Sequence, residues 1–197
     1  MQINQKVIDK TREYAKKFYT KVYFTHSWNS HVAFVVDKAK YIARKEKMDV
    51  KIAEMGALLH DIGRIKTKPE EDHAIPSAKI AEPFLKSLKL DKEIIDKILD
   101  TIKFHSGTEI SKAKTNEAKA VYDADKLNHL GPVGIIRTAC WKAYKNPKTD
   151  LDELFFKTVG VGKRRIKRMQ TKTGKMLAKK YLDYTKEFIK GYKEMKK

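Results

Sequence analysis

The sequence predicts an all-α fold, a compact helical bundle with helical extensions at both termini, and three features of the chain predict it. Apolar residues recur at three- and four-residue steps over most of the 197 residues, which is the period of an amphipathic helix. Only 9 glycines and 5 prolines occur, which is few for a turn-rich all-β chain. No stretch alternates apolar and polar residues for long enough to predict a strand.

The first half of the chain is predicted to contain an N-terminal helix and four core helices. Apolar stripes place the core helices through residues 32–43, 52–59, 80–88 and 94–102. Gly63 is placed to end the second of them soon after residue 59. Residues 72–76 are predicted to form a loop that leads into the third, where Pro83 predicts a kink or a later start.

The second half is predicted to be helical as well. Apolar stripes run through residues 118–122, 135–143 and 151–155, and a long basic helix runs through residues 166–189. Residues 146–150 form a break that ends in Asp150, a plausible N-cap, and residues 159–162 form a hinge between helices. The predicted organisation is an N-terminal helix packing on the core, a helical domain and a basic helical extension, at residues 1–19, 20–145 and 146–197.

Cysteine use and hydropathy exclude several classes of protein. Cys140 is the only cysteine, so neither a disulfide nor a zinc site of several thiolates can form within one chain. The N-terminal segment lacks the apolar core of a signal peptide. No apolar run approaches the ~18 residues of a membrane span. We therefore expect a cytoplasmic protein that does not contact a membrane.

The chain is strongly basic, with a formal net charge of +19. Residues 161–197 contain 14 Lys+Arg and 3 Asp+Glu, so more than half of the excess lies in the last fifth of the chain. This pattern fits either a solvated lysine-rich helix face or a surface that binds a polyanion. The first interpretation is favoured, because a lysine stripe without interleaved aromatic residues is weak evidence for a polyanion site.

Several polar residues interrupt the predicted apolar faces. Asp125 and His105 each continue the apolar face of a predicted helix, and His60 follows a face of small residues. His31 begins the first core helix. A carboxylate on a core face costs several kcal/mol unless something pairs it. These side chains are therefore candidates for a buried polar site.

Each of these residues alone has an ordinary structural explanation, as a hydrogen-bonded core histidine or an aspartate in a cap or ion pair. Together, inward imidazoles and carboxylates on successive helices of a small bundle repel one another or compete for protons. A divalent cation resolves the conflict, because neutral imidazole and ionised carboxylate both bind it, and helical bundles commonly build metal sites in this way. Nitrogen and oxygen ligands favour Mn, Fe, Co, Ni or Zn, and the sequence does not choose among them.

Three segments carry a resemblance to a known family, namely residues 30–32 (SHV), 55–64 (MGALLHDIGR) and 117–127 (EAKAVYDADKL). Over about residues 20–140, the chain resembles the HD-domain superfamily of metal-dependent phosphohydrolases. The resemblance implies a helical bundle of HD-domain type in which the first metal is bound by His31, His60, Asp61 and Asp125. Adjacent helical residues point about 100° apart, so His60 and Asp61 can serve one site only near a helix end, where Gly63 places them.

Two further histidines match the two-metal members of the family, such as HD-type diadenosine tetraphosphate hydrolases. His73 and His105 lie between the His-Asp pair and the last Asp, where those relatives have the second metal's ligands, and Asp61 would bridge the metals. Ala74 is a departure, since those relatives often have glycine after the first of these histidines. Two alternatives stay open, a two-metal site or one metal with His73 and His105 near the substrate.

The resemblance implies hydrolysis of a phosphorylated small molecule, a nucleotide or a related compound, by a water that the metal activates. Asp61 would orient this water, and His105, Lys126 and Arg64 are candidates to assist the leaving oxygen. An ordinary surface salt bridge is an equal alternative for Lys126 and Arg64. The alternative function is a nucleic-acid-binding helical protein that uses its basic C-terminal helix, with the metal site structural or silent. The chain could act as a monomer or a homodimer.

Overall fold

The structure of the protein is a computed structural model that describes residues 1–20, 24–68, 71–107, 109–155 and 166–197. The regular secondary structure within these ranges is helical. The all-α prediction is confirmed. The longer helices are α1 (Gln5–Tyr19), α2 (Ala33–Lys45), α3 (Val50–Leu59), α4 (Ala74–Ser87), α5 (Lys92–Lys103), α6 (Asn116–Leu127), α7 (Gly131–Lys145) and α8 (Lys172–Glu194). No helix within these ranges is long and apolar enough to cross a membrane.

The chain forms two compact units, Met1–Asp125 and Lys126–Lys197, which we call the first and second units. The division falls within α6, directly after Asp125. The three-part organisation predicted from the sequence stays a prediction.

In the first unit, α3 is the central helix and packs against α1, α2 and α5. Every residue from Ile52 to Leu59 is buried, so this helix is covered around its whole circumference rather than on one stripe. Gly56 is required where α3 meets α5, because a Cβ at this position would lie 1.8 Å from the Thr101 hydroxyl oxygen. The small residue lets the two backbones approach closely, and this approach brings the C-terminal ends of α3 and α5 together.

Helix α1 is fixed to α3 by two polar contacts. Arg12 donates to the buried Glu54 carboxylate at 2.8 Å, and Lys40 of α2 contacts the same carboxylate at 2.8 Å. Near the other end of α3, the Tyr19 hydroxyl donates to the Leu58 carbonyl at 3.2 Å. The contact between Tyr19 and Leu58 lies next to the His60-Asp61 pair and supports the site described below.

Two helix starts can be compared with the expectations. Helix α4 begins at Ala74 and continues through Pro83 to Ser87, so the later start is wrong and the kink stays a prediction. The last helix begins at Lys172 rather than near Ile166, because the Thr171 side chain caps it by accepting from the Gly174 amide at 2.8 Å. The apolar stripe predicted the face of this helix but not its first turn.

The second unit is built on the packing of α7 against α8. Asp150 caps the helical residues 151–155, as predicted, by accepting from the Asp152 amide at 2.8 Å. The Phe155 and Tyr192 rings stack with centroids 3.9 Å apart, which ties this segment to α8. The hinge predicted at residues 159–162 lies outside the described residues.

Candidate metal centre

The six predicted metal ligands come from six different local structures of the first unit, and all six are buried. His31 lies in a short π-helical turn, Trp28–Val32, that leads into α2. His60 directly follows the last residue of α3, and Asp61 precedes the 3-10 turn Ile62–Lys66. The helix therefore ends between these two residues, which lets their adjacent side chains face one centre, as the sequence required.

The other three predicted ligands lie at the ends of the remaining helices of the cluster. His73 directly precedes α4, His105 lies two residues beyond α5, and Asp125 lies in the last turn of α6. A close approach at Gly63 sets the position of His73, since a Cβ there would lie 2.4 Å from the Ser77 amide and 2.8 Å from the His73 carbonyl. The Gly63 amide donates to the Ser77 hydroxyl at 2.9 Å.

Four of these side chains form what we call the first donor group: His31, His60, Asp61 through Oδ2, and Asp125. Nε2 of His31 lies 3.0 Å from Nε2 of His60 and 3.3 Å from Asp61 Oδ2. It lies 3.5 Å from Asp125 Oδ1, and His60 Nε2 lies 3.7 Å from Asp61 Oδ2. Two atoms bound to one metal at about 2.1 Å are separated by about 3.0 to 3.4 Å, so these spacings are close to those of a ligand set.

The second donor group consists of Asp61 through Oδ1, His73 and His105. Nε2 of His73 lies 3.0 Å from Nε2 of His105 and 2.9 Å from Asp61 Oδ1. His105 Nε2 lies 3.4 Å from the same oxygen. Asp61 thus presents one carboxylate oxygen to each group.

Backbone carbonyls fix the orientation of two of these rings. Nδ1 of His60 donates to the Ala57 carbonyl and Nδ1 of His105 donates to the Ile102 carbonyl, both at 2.7 Å. A carbonyl only accepts, so the proton of each neutral ring lies on Nδ1 and the lone pair lies on Nε2. Both lone pairs face the centre of the cluster, and a metal-binding histidine is oriented by the same kind of contact.

The electrostatic environment keeps these groups in the protonation states that bind cations. Burial lowers the pKa of His60 to about 3, against the opposing charge of Asp61, and burial also lowers the pKa of His105. Burial alone would raise the pKa of Asp61, but the Arg64 guanidinium beside it holds that pKa well below its usual range. His60 and His105 are therefore neutral and Asp61 is ionised at neutral pH.

The donor atoms fit a divalent cation because they do not satisfy one another. Asp61 Oδ1 is fully buried and receives no hydrogen bond from the described part of the chain. Its neighbours offer no proton, since His105 Nε2 carries a lone pair and His73 Nε2 accepts from Arg64 Nη2 at 3.0 Å. Lone pairs and a carboxylate oxygen at such separations repel, and a cation converts this repulsion into attraction.

The three residues predicted to assist the leaving oxygen, Arg64, Lys126 and His105, have different surroundings. Arg64 contacts both Asp61 Oδ2 and His73 Nε2, so it is part of the cluster rather than of a surface salt bridge. Lys126 begins the second unit, and its predicted role stays a prediction. His105 has its Nδ1 proton committed to a carbonyl, which favours a ligand role over a proton-donor role.

Sequence reasoning did not find Tyr19. Its hydroxyl donates to the Leu58 carbonyl and accepts from the Asp61 amide at 3.3 Å, so it bridges the end of α3 to the Asp61 backbone. Tyr19 lies on the apolar face of α1 among ordinary core positions, and no local pattern distinguishes it from a packing residue.

Comparisons with known proteins identify the family of the segment that contains the cluster. The family model described as HD domain matches residues 28–129, which include all six residues of the two donor groups. YpgQ of Bacillus subtilis is 34% identical over 113 residues, an alignment that covers 57% of this chain and 55% of YpgQ. The alignment thus spans about half the length of that relative.

Solved structures extend the likeness over nearly the whole chain. YpgQ in complex with ADP superposes with a TM-score of 0.71 and 27% identity, covering 95% of this chain and 93% of YpgQ. An HD-superfamily hydrolase from Bacillus thuringiensis gives a TM-score of 0.73 and 25% identity, covering 97% of each chain. A predicted HD-superfamily hydrolase from an uncultured Thermotogales bacterium, at 22% identity and a TM-score of 0.69 over 98% and 93% of the two chains, shows the fold alone. The chain belongs to the HD domain family, and its clustered His and Asp side chains could hold a metal ion.

Proposed function

We propose that the protein is a phosphohydrolase that acts on a nucleotide or a related phosphate compound through one or two divalent metal ions. The observation that carries this proposal is the convergence of the two donor groups on Asp61, whose two oxygens face different sets of imidazoles. In the proposed assignment, His31, His60, Asp61 and Asp125 hold the first metal, and Asp61, His73 and His105 hold a second. The metal is Mn, Fe, Co, Ni or Zn, because the ligand atoms are imidazole nitrogens and carboxylate oxygens.

Bound divalent cations would supply positive charge for phosphoryl oxygens and lower the pKa of a water toward ~7, so that it can attack at neutral pH. The residues of the chain hold the metal-binding side chains in position. Asp61 is held at its backbone by Tyr19 and at its side chain by Arg64, so its carboxylate has a fixed direction between the two donor groups. Arg64 lies beside these residues, and its planar N–H donors suit a phosphoryl group.

The nucleotide class is supported by a relative rather than by a pocket of this chain. The YpgQ structure contains ADP, and YpgQ shares 27% identity and nearly the whole fold with this protein. Nucleoside phosphates combine an anionic chain, which a dication cluster attracts, with a leaving group of low basicity. We therefore place nucleoside di- and triphosphates first among the substrates.

The proposal is tested by metal analysis of the purified protein followed by hydrolysis assays on nucleoside mono-, di- and triphosphates with Mn²⁺ or Co²⁺. We expect release of phosphate or pyrophosphate that chelation abolishes and that Asp125→Ala removes. Asp96→Ala, which removes an exposed carboxylate from α5, is the matched control and should keep full activity. Full activity in Asp125→Ala, or after chelation, would contradict the proposal.

A further inference from the structure

Arg64 lies where a second metal ion would have to compete with it. Its Nε contacts Asp61 Oδ2, and its Nη2 lies 3.0 Å from His73 Nε2. The side chain is only 18% exposed, so the guanidinium is held within the cluster and not displayed to solvent. Asp61 Oδ2 belongs to the first donor group, and His73 Nε2 belongs to the second.

The two contacts of Arg64 have different consequences for metal binding. A carboxylate oxygen has two lone pairs, so Asp61 Oδ2 can accept from Arg64 and still bind a metal of the first donor group. An imidazole nitrogen has one lone pair, and a guanidinium is always protonated and only donates. When Arg64 donates to His73 Nε2, that nitrogen has no lone pair left for a metal. The contact at His73 is therefore exclusive, while the contact at Asp61 is not.

The positive charge of Arg64 also disfavours a metal ion in the second donor group. The guanidinium brings one positive charge next to Asp61 and His73, where it partly replaces the positive charge of a second metal ion. A dication entering the second donor group would meet like charge at short range in a buried site, where the repulsion is weakly screened.

We propose that Arg64 is an internal competitor for the second metal ion: its guanidinium holds His73 and Asp61 until a cation of the second donor group displaces it. The inference rests on the proposed function and extends it, because it makes occupancy of the two donor groups unequal. The first donor group fills without moving Arg64. The second fills only when Arg64 leaves His73, and the displaced guanidinium is then available to bind the phosphoryl oxygens of a substrate.

Manganese binding to the full-length protein tests this inference without an activity assay. Calorimetric titration with Mn²⁺ gives the affinity of each site, and electron paramagnetic resonance reports whether two bound Mn²⁺ ions are spin-coupled neighbours. We expect the wild type to bind one ion tightly and a second weakly. Arg64→Gln should tighten the second site by about tenfold to a hundredfold, the value of a charge-assisted hydrogen bond. It should change the first site less, because Asp61 Oδ2 keeps a lone pair for a metal while it accepts from Arg64.

Lys66→Gln is the matched control, because it removes the same charge from an exposed position of the same 3-10 turn. It should change neither affinity. Arg64→Lys keeps the charge but loses the planar fork, so it should tighten the second site less than Arg64→Gln. Thermal melts of each variant confirm that the compared proteins are folded.

The outcomes separate this inference from the proposed function. If the wild type binds no Mn²⁺, both the proposed function and this inference are wrong. A tight first site with a second site that Arg64→Gln and Lys66→Gln affect equally would overturn the competition alone. So would the absence of any second site in Arg64→Gln, and so would a second site that survives His73→Ala with unchanged affinity.

Discussion

The two units of the protein use their charged residues in opposite ways. The first unit contains 24 Lys+Arg and 19 Asp+Glu over 125 residues, and it buries imidazoles and carboxylates side by side. The second contains 20 Lys+Arg and 6 Asp+Glu over 72 residues, and most lysines of α8 are exposed. The candidate chemistry thus lies in the nearly balanced unit and the charge excess in the other. Net charge locates a surface, whereas buried polar groups locate a site.

The first and largest expected effect comes from Asp61. Asp61→Ala removes a ligand from both donor groups at once, so we expect loss of bound metal and a fall in kcat/KM of more than about a thousandfold. Metal content by mass spectrometry and hydrolysis of the best nucleotide substrate measure it. Asp96→Ala serves as the control. An Asp61→Ala protein that keeps both metal and activity would place the site elsewhere and remove the contrast between the units.

Metal addition should stabilise the protein through the first unit. A ligand present at a hundred times its Kd contributes about 2.7 kcal/mol, which corresponds to a rise in Tm of about 5 to 10 °C for a chain of this size. We expect this rise for the wild type in Mn²⁺ by scanning calorimetry and expect Asp125→Ala to lose most of it. The same rise in both proteins would mean that the cation binds outside the first donor group.

Glycine substitutions compare the packing of the two units directly. Gly63→Ala places a Cβ 2.4 Å from the Ser77 amide nitrogen, so it must push the Ile62–Lys66 turn away from α4 at a cost of about 1–3 kcal/mol. Gly191→Ala in α8 meets nothing within 4 Å and should stabilise that helix by about 0.5–1 kcal/mol. Urea unfolding of both variants measures the difference. Equal effects would show that the approach of Gly63 to α4 is not tight in solution.

Removal of one hydroxyl tests whether Tyr19 supports the site. Tyr19→Phe keeps the ring and loses the contacts with the Leu58 carbonyl and the Asp61 amide, at about 1 kcal/mol. We expect metal affinity to fall by up to about tenfold, since supporting contacts of a ligand commonly contribute this much. Tyr14→Phe, elsewhere on α1, is the control. A stability loss without any change in metal affinity would reduce Tyr19 to a packing residue.

The smallest effect on hydrolysis should come from the second unit. Lys179→Glu with Lys180→Glu reverses two exposed charges of α8, and Lys6→Glu with Lys10→Glu makes the same change on α1. We expect either pair to leave nucleotide hydrolysis within about twofold in 0.15 M salt, where surface charges are screened. If the basic helix binds nucleic acid, only the α8 pair should weaken binding of a single-stranded oligonucleotide and flatten its salt dependence. Equal weakening by both pairs would refute that alternative.

The sequence by itself determined that the chain is helical, and it predicted the side chains of the candidate site, several of them only through the resemblance to the HD-domain superfamily. Periodic apolar stripes locate core helices because burial of one face is a local property of the chain, and a buried aspartate or histidine is visible as an interruption of that stripe. It did not locate the start of α8 and left the start of α4 open, because caps and packing decide helix ends more than periodicity does.

Tertiary structure alone decided how the donors are shared. The division of Asp61 between the two groups and the contacts of Tyr19 depend on distances between segments far apart in the sequence. The Nδ1 contacts of His60 and His105 are local, but which neighbours each Nε2 meets is decided by the packing. Residue types fix what a group can donate or accept. Only the packing of α3 against α1 and α5, through positions such as Gly56, decides which of these donor and acceptor groups lie next to one another.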